Sequence, residues 1–259
     1  MHSHMDFALL VVILTCLLAH TNTEYRIIDG GAWRIEKSPY LVSIRFYDIN
    51  HCVGSLVTMQ KVITAANCVK YLDVDRFTVI AGVSDLSCRH QNGQSRGVER
   101  VFYPRNYDYD TKHMDIAVMK VRGLFKEGPT VGTIPYSGCS FQNRVHLQVS
   151  GWGWTTAENG RTSTILQTTI LSSLPYNDCV RRYRTAGRTI TQSMICAARG
   201  TTDVCVKDTG APGVAYGLLC AVVSFNQGCA NPQYPSVFTV LDNVDVQAFL
   251  DEAINGKQS

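Results

Sequence analysis

From residue 40 onward the chain is written in short runs of aliphatic, β-branched and aromatic residues, each closed by Gly, Pro, Asn or Asp. Tyr40–Phe46, Gly54–Met59, Lys61–Thr64, Phe77–Ala81 and Ile116–Val121 fit strands in the first half. Val145–Ser150, Ile165–Leu171, Leu218–Phe225 and Ser236–Val240 continue the pattern in the second. Runs of this length, rich in β-formers and bounded by turn residues, are strand signals. Many of them in series, with no helical period between, predict an all-β sandwich or barrel. One helical pattern is legible near the C-terminus. Val246, Phe249, Leu250, Ala253 and Ile254 recur at i, i+3, i+4, i+7 and i+8, with Asn243 or Asp245 available as the N-cap.

The first residues follow a different grammar. Phe7 to Ala19 is an uninterrupted apolar run apart from Thr15, preceded by His2 and His4 but by no Lys or Arg. It is shorter than the ~20 residues that span a bilayer and has the length of a secretory signal. Residues 1–20 are expected to be that signal, cleaved near residues 19–22. A short propeptide, 21–26, and a single domain, 27–259, follow. No later run is long enough to cross a membrane, so the mature chain is expected to be secreted, with no membrane association. The composition, 45% hydrophobic and 17% charged, suits a soluble core. A net charge of +3 is too mild to imply nucleic acid. The locally basic Arg181-Arg182-Tyr183-Arg184 reads as a solvated surface loop. There is no N-x-S/T acceptor for N-linked glycan. Of the ten cysteines, Cys16 lies in the predicted signal, and the remainder of a secreted chain is expected to form disulfides.

Several ordered stretches carry the candidate chemistry. Asp203-Val204-Cys205-Val206-Lys207-Asp208-Thr209-Gly210-Ala211-Pro212 is similar to the active-site loop of trypsin/chymotrypsin-like (S1) serine proteases, in which a serine stands at the Thr209 position. Thr64-Ala65-Ala66-Asn67-Cys68 resembles that family's T-A-A-H-C, with Asn67 in place of the histidine. Met114-Asp115-Ile116-Ala117-Val118 keeps the aspartate. Further markers are Gly151-Trp152-Gly153, Met194-Ile195-Cys196-Ala197, Ser224-Phe225 and Tyr234-Pro235-Ser236-Val237-Phe238. The resemblance runs from Ile27 to the end and points to non-catalytic homologues of the insect type. It implies two six-stranded antiparallel β-barrels with a short C-terminal helix. It also implies disulfides Cys52–Cys68, Cys179–Cys196 and Cys205–Cys229, leaving the pairing of Cys88, Cys139 and Cys220 open. Arg26-Ile27 matches the family's activation junction, where the freed ammonium of Ile27 would pair with Asp208. Asp203 matches the floor of a pocket for Arg or Lys. Asn226 and Ser236 stand where trypsin-like members have glycines, so a narrowed pocket is expected.

The residue types bear on the reaction. A triad hydrolase needs a nucleophile, a base titrating near neutral pH and an acid that orients the base. The carboxamide of Asn67 has no nitrogen that accepts a proton at that pH. Thr209 carries an extra methyl that restricts χ1 and crowds the attacking oxygen. Lys207 replaces a glycine at the oxyanion position, where a side chain disfavours the φ > 0 geometry open to glycine. His113 would share a strand face with Asp115 if that segment were extended, and is expected to be solvated. Neither the histidines nor the cysteines have metal-ligand spacing, and the only acid between Gly82 and Gln94 is Asp85, too few oxygens for calcium. No metal or cofactor is expected. The vestigial triad Asn67, Asp115 and Thr209 therefore implies a secreted, inactive protease homologue. Such a protein would act by binding an active serine protease or an inhibitor, as cofactor, decoy or regulator, in an oligomeric state the sequence does not fix. The alternatives are an active endopeptidase with a non-standard base and a purely structural secreted protein.

Overall fold

The apolar runs pair as antiparallel strands that close upon themselves twice. The computed structural model describes residues 31–88, 93–141, 144–153, 163–199, 208–228, 231 and 233–256. The first barrel is built from β2 (Leu41–Phe46), β3 (Ile49–Thr58), β4 (Lys61–Thr64), β5 (Phe77–Ala81), β6 (Gln94–Phe102) and β7 (Ala117–Val121), in the order β2-β3-β4-β7-β6-β5. The second contains β8 (His146–Gly151), β9 (Gln167–Ser173), β10 (Met194–Ala198), β11 (Pro212–Ala215), β12 (Leu218–Phe225) and β13 (Ser236–Val240). Its order is β9-β10-β13-β12-β11-β8, and the β8–β9 ladder closes it. The two-residue β1 (Gly31–Ala32) adds to β9.

Burial follows from closure. In β9, Gln167, Thr169, Leu171 and Ser173 are buried and alternate with residues that are not, the period-two pattern of a strand with one face inward. All five residues of β13 are buried, which requires both of its faces to be covered. Each barrel has its own apolar cluster. Val42, Ile44, Leu56, Val62, Val79 and Met119 belong to the first, and Leu147, Trp152, Leu171, Ala221, Val223 and Phe238 to the second. The C-terminal helix α2 (Val244–Asn255) packs Val246, Leu250, Ala253 and Ile254 onto the first cluster, although it follows the second barrel in the chain. Asn243 is its cap, accepting from the backbone N–H groups of Asp245 and Val246. At the other end the Lys61 ammonium donates to the carbonyls of Ala253 and Ile254, at 2.9 and 2.7 Å. This meets two of the acceptors that a helix end leaves open.

The structure adds elements that the sequence reading did not place, among them the helix α1 (Tyr176–Arg184), β6, β10 and β11. Arg181-Arg182-Tyr183-Arg184 is the last turn of α1, and no loop. Only Cys179 and Tyr183, four residues apart, are buried in it, and they pack on Ile190, Met194 and Val237. Tyr176, Cys179, Val180 and Tyr183 recur at i, i+3, i+4 and i+7, an amphipathic period that the run of arginines beside it masks. β6 escaped notice because only Val98 of its nine residues is buried. β11 did so because Pro212-Gly213 reads as a turn.

Disulfides join Cys52 to Cys68, Cys179 to Cys196 and Cys139 to Cys220. The last settles a pairing that the sequence left open, and it spans 81 positions. Arg26, Ile27, Asp203, Lys207, the Cys205–Cys229 pair and the signal and propeptide segments lie outside the described residues. A cross-link closing a loop as long as that of Cys139–Cys220 stabilises by roughly 4 kcal/mol in the chain-entropy model. The double variant Cys139→Ala, Cys220→Ala should therefore melt about 10 °C lower in a calorimetric scan. A loss of under about 1 kcal/mol would show that the bridge constrains little.

Candidate functional site

The two barrels meet where the motif residues come together. β4 ends at Thr64, and the chain turns through a single 3-10 turn, Ala66–Cys68, which sets Asn67 at the barrel's edge. Just before β7, Met114 takes a left-handed φ of 56° and turns Asp115 inward. From the second barrel, the end of β12 brings Ser224 to the same point. Asp115 is fully buried. Its Oδ1 accepts from the Asn67 backbone N–H at 2.8 Å. Its Oδ2 accepts from Asn67 Nδ2 at 2.7 Å and from the Ser224 hydroxyl at 2.5 Å. Its carbonyl accepts from the Thr239 hydroxyl at 2.9 Å. Through its side chain and its backbone carbonyl, this one residue ties the first barrel to two strands of the second.

The second N–H of Asn67 Nδ2 donates to the Ser224 carbonyl at 3.0 Å. Both amide protons are then committed, and the side chain has only Oδ1 left to offer the cleft. That oxygen accepts hydrogen bonds but is far too weak a base to take a proton from an alcohol near neutral pH. The geometry orients Asn67 against its carboxylate and leaves it without basic capacity.

Thr209 is held by its backbone. Its carbonyl accepts from the Val53 N–H at 2.9 Å, a contact from β3 across the inter-barrel junction. Gly210 follows with φ +84°, and a Cβ there would lie 2.2 Å from both Thr64 Oγ1 and the Val53 carbonyl. No side chain fits this position, so the loop must carry glycine to come so near the first barrel. The Thr209 side chain itself is partly exposed, and no hydrogen bond to Asn67 holds it. Beside it, buried Asp208 accepts from the Gly153 N–H at 2.9 Å. Gly151 and Gly153 leave room for this carboxylate, since a Cβ on either would fall within 2.3 Å of it. Ser236 is buried in β13 opposite Ala197 of β10, and Asn226 is partly exposed just past β12. With Asp203 and Lys207 outside the described residues, the pocket floor and the oxyanion position have no described geometry.

The family profile described as Trypsin matches residues 27–246. The chain belongs to the trypsin family. Over 241 residues it is 28% identical to Trypsin delta and Trypsin gamma of Drosophila melanogaster, covering 90% of this chain and 94% of each relative. It is 31% identical over 219 residues to Seminase of the same organism, covering 83% of this chain and 78% of that one. Among solved structures, neuropsin, described as a serine protease expressed in the limbic system of mouse brain, superposes with a TM-score of 0.75 at 24% identity. That match covers 82% of this chain and 94% of the other, and it concerns the fold.

Within this trypsin-family domain the described histidines are engaged elsewhere. His51 Nε2 lies 2.9 Å from the Cys68 carbonyl, which fixes its proton on that nitrogen. His146 bonds Ser172 on the outer face of the second barrel. His113 is half-buried, where a solvated side chain was expected, and its Nδ1 meets the hydroxyls of Thr191 at 3.0 Å and Ser193 at 3.3 Å. The turn at Met114 breaks the strand alternation that would have placed His113 beside Asp115. Ser193 has no exposed surface and its hydroxyl accepts from the Met114 N–H, so it serves as a structural joint between the two segments. Among the described residues no group of His, Cys, Asp and Glu is placed to hold a metal. Ser224 is the site residue that sequence reasoning did not assign a role. The Ser224-Phe225 marker was the available signal.

Burial pushes the Asp115 carboxyl up to about 6, and the hydrogen bonds from Ser224 and Asn67 only partly offset it. Its ordinary value is 3.8. Between these values the folded protein holds one more proton than the unfolded chain, so the Asp115 contribution falls as pH rises from about 4 to 6 and is level above. The fall amounts to roughly 3 kcal/mol, opposite in sign to that of a carboxylate in an ion pair. Relative to wild type, Asp115→Asn should gain stability across that window in melts at matched salt. A wild-type-to-variant gap that stays constant from about pH 4 to 7 would overturn this assignment.

Proposed function

We propose that this trypsin-family chain is a secreted pseudoprotease that acts by binding another protein, as cofactor, decoy or regulator in a proteolytic cascade or a secreted fluid. The observation that carries the reading is the commitment of both Asn67 amide protons to Asp115 and to the Ser224 carbonyl. The site then lacks a proton acceptor for the Thr209 hydroxyl. In triads of this kind removal of the base alone costs on the order of 10⁶ in turnover, because the members act as a unit. The partly exposed, hindered hydroxyl of Thr209 adds to the deficit. Three disulfides and the apolar run from Phe7 to Ala19 support secretion. Ile27 and Asp208 keep the residue types of the activation pair, so cleavage after Arg26 would order the site loops without generating a protease.

The rival reading, an active endopeptidase, draws its support from relatives that carry the name trypsin. One assay separates the two. The protein cleaved after Arg26 is offered a tryptic ester and a fluorophosphonate probe. No turnover and no label at Thr209 are expected. Turnover that disappears in Thr209→Ala would establish the enzyme instead. The pair Asn67→His, Thr209→Ser is expected to restore little peptidase activity, because Lys207, Asn226 and Ser236 still depart from the family pattern. Strong activity from that pair would show these departures to be harmless.

A further inference from the structure

At the end of β11 away from Thr209, the chain turns with a residue that the turn does not favour. Ala215 pairs with Leu218, so Tyr216-Gly217 is a two-residue hairpin loop, with φ of 55° and 75°. A turn with both central residues left-handed prefers Asn, Asp or Gly at the first, and a tyrosine there meets a steric cost. No packing in the fold offsets that cost, because Tyr216 is 81% exposed. Residues kept in an unfavourable conformation concentrate at functional sites. Tyr216 stands at the rim of a groove of 520 Å³. Its floor is a row across three strands: Ile170 of β9 faces Gln148 of β8, which faces Val214 of β11. Ile170 is 50% exposed. The walls are Pro39-Tyr40, at the entry to β2, and Ile134-Pro135, in the connection between the barrels. The Gly132 N–H donates to the Pro39 carbonyl at 3.0 Å and the Leu219 N–H to the Pro135 carbonyl at 2.9 Å, so main-chain bonds fix both walls.

Charge and shape together restrict the occupant. Among the described residues no carboxylate lines the groove, whereas Lys37 does and forms no ion pair. The neighbouring Glu36 is held by Arg34 at 3.1 Å. A ligand with a carboxylate beside apolar groups is therefore complementary. Strand addition is closed off, since β8, β9 and β11 each have paired neighbours on both sides. An α-helix is about 10 Å across, so the groove would hold little more than one turn of it. A polyproline II segment meets neither obstacle. It has no internal hydrogen bonds, its rings pack on aromatic faces, and its carbonyls accept from side-chain donors. Tyr40 and Tyr216 provide the faces. Among the described residues the Gln148 amide and the Tyr216 hydroxyl have no hydrogen-bond partner, which leaves both as donors.

We propose that this groove on the outer face of the second barrel receives a proline-rich segment of a partner protein, with a carboxylate placed to meet Lys37. Asn67, Asp115 and Thr209 do not line it, so occupancy here is independent of whether the chain hydrolyses peptides. Tyrosine is among the residue types that carry most binding energy at protein interfaces, which gives the exposed Tyr216 ring its use.

The probe is a short rhodamine-labelled proline peptide carrying one leucine and one glutamate, followed by fluorescence anisotropy on the intact protein. It should bind. A version with glycine for every proline should bind at least about tenfold more weakly, because it is not preorganised. A version with glutamine for glutamate should lose about threefold. Tyr216→Asn should weaken binding at least about tenfold, yet its melting temperature should hold or rise by about 2 °C, since asparagine suits the turn. Ile170→Ser, at an exposed position, should weaken binding in the same direction. Lys37→Glu should erase the difference between the glutamate and glutamine peptides, whereas Lys126→Glu, the same charge change at another exposed position, should preserve it. Equal affinity for the proline and glycine peptides would overturn the proposal, as would binding that survives both Tyr216→Asn and Ile170→Ser. So would occupancy of the groove by decanoate, or by a second copy in sedimentation, while the proline peptide does not bind.

Discussion

A carboxylate sealed between two barrels must be surrounded by donors or lose its charge, and Asp115 is the point on which this inter-barrel junction turns. It accepts from a 3-10 turn of the first barrel and from β12 of the second, and its carbonyl is held by β13. Any residue at position 67 has to keep facing this acceptor. A histidine would offer one ring N–H to it. Asparagine offers one amide N–H in the same role and sends a second to the Ser224 carbonyl. Asparagine therefore keeps the orienting hydrogen bond to Asp115 but has no ring nitrogen to accept a proton. Asparagine also suits this place better than an apolar residue would, since leaving a buried carboxylate short of a donor costs about 1–3 kcal/mol or more.

What the sequence reveals about this fold depends on how strongly each element announces its period. The barrel strands with apolar inner faces, such as Leu41–Phe46 and Ser236–Val240, stand out because closure buries them. Gln94–Phe102 does not, because its outer face is charged and only Val98 is buried, so its place is decided by hydrogen bonding to β5 and β7. Helix α1 carries an apolar period, but it is only nine residues long and rich in charge. Its stability comes from the Cys179–Cys196 bridge and from the Tyr183 hydroxyl bound to the Pro235 carbonyl, contacts more than ten residues away in the chain.

The site was legible to a similar degree. The motifs identify Asn67, Asp115 and Thr209, because each sits in a run of neighbours with fixed roles. Their hydrogen bonds could not be read this way. Whether the Asn67 amide turns toward Thr209 or away from it depends on the Ser224 carbonyl, which lies 157 positions downstream.

The contacts that shape the cleft differ in kind from those that catalysis needs. Val53 N–H to the Thr209 carbonyl, Gly210 N–H to the Val223 carbonyl and Val223 N–H to the Ala211 carbonyl are main-chain bonds, indifferent to the side chain at position 209. Of the residues in these bonds only Gly210 is constrained by identity, through its left-handed φ and the lack of room for a Cβ. Proton transfer, by contrast, depends on the basicity of one side chain and the reach of another, and each can be changed without loosening the frame. A cleft fixed by backbone geometry stays rigid after its chemistry is altered. Rigidity lowers the entropy lost when a partner docks. The same backbone frame thus keeps the cleft ordered whatever side chains line it.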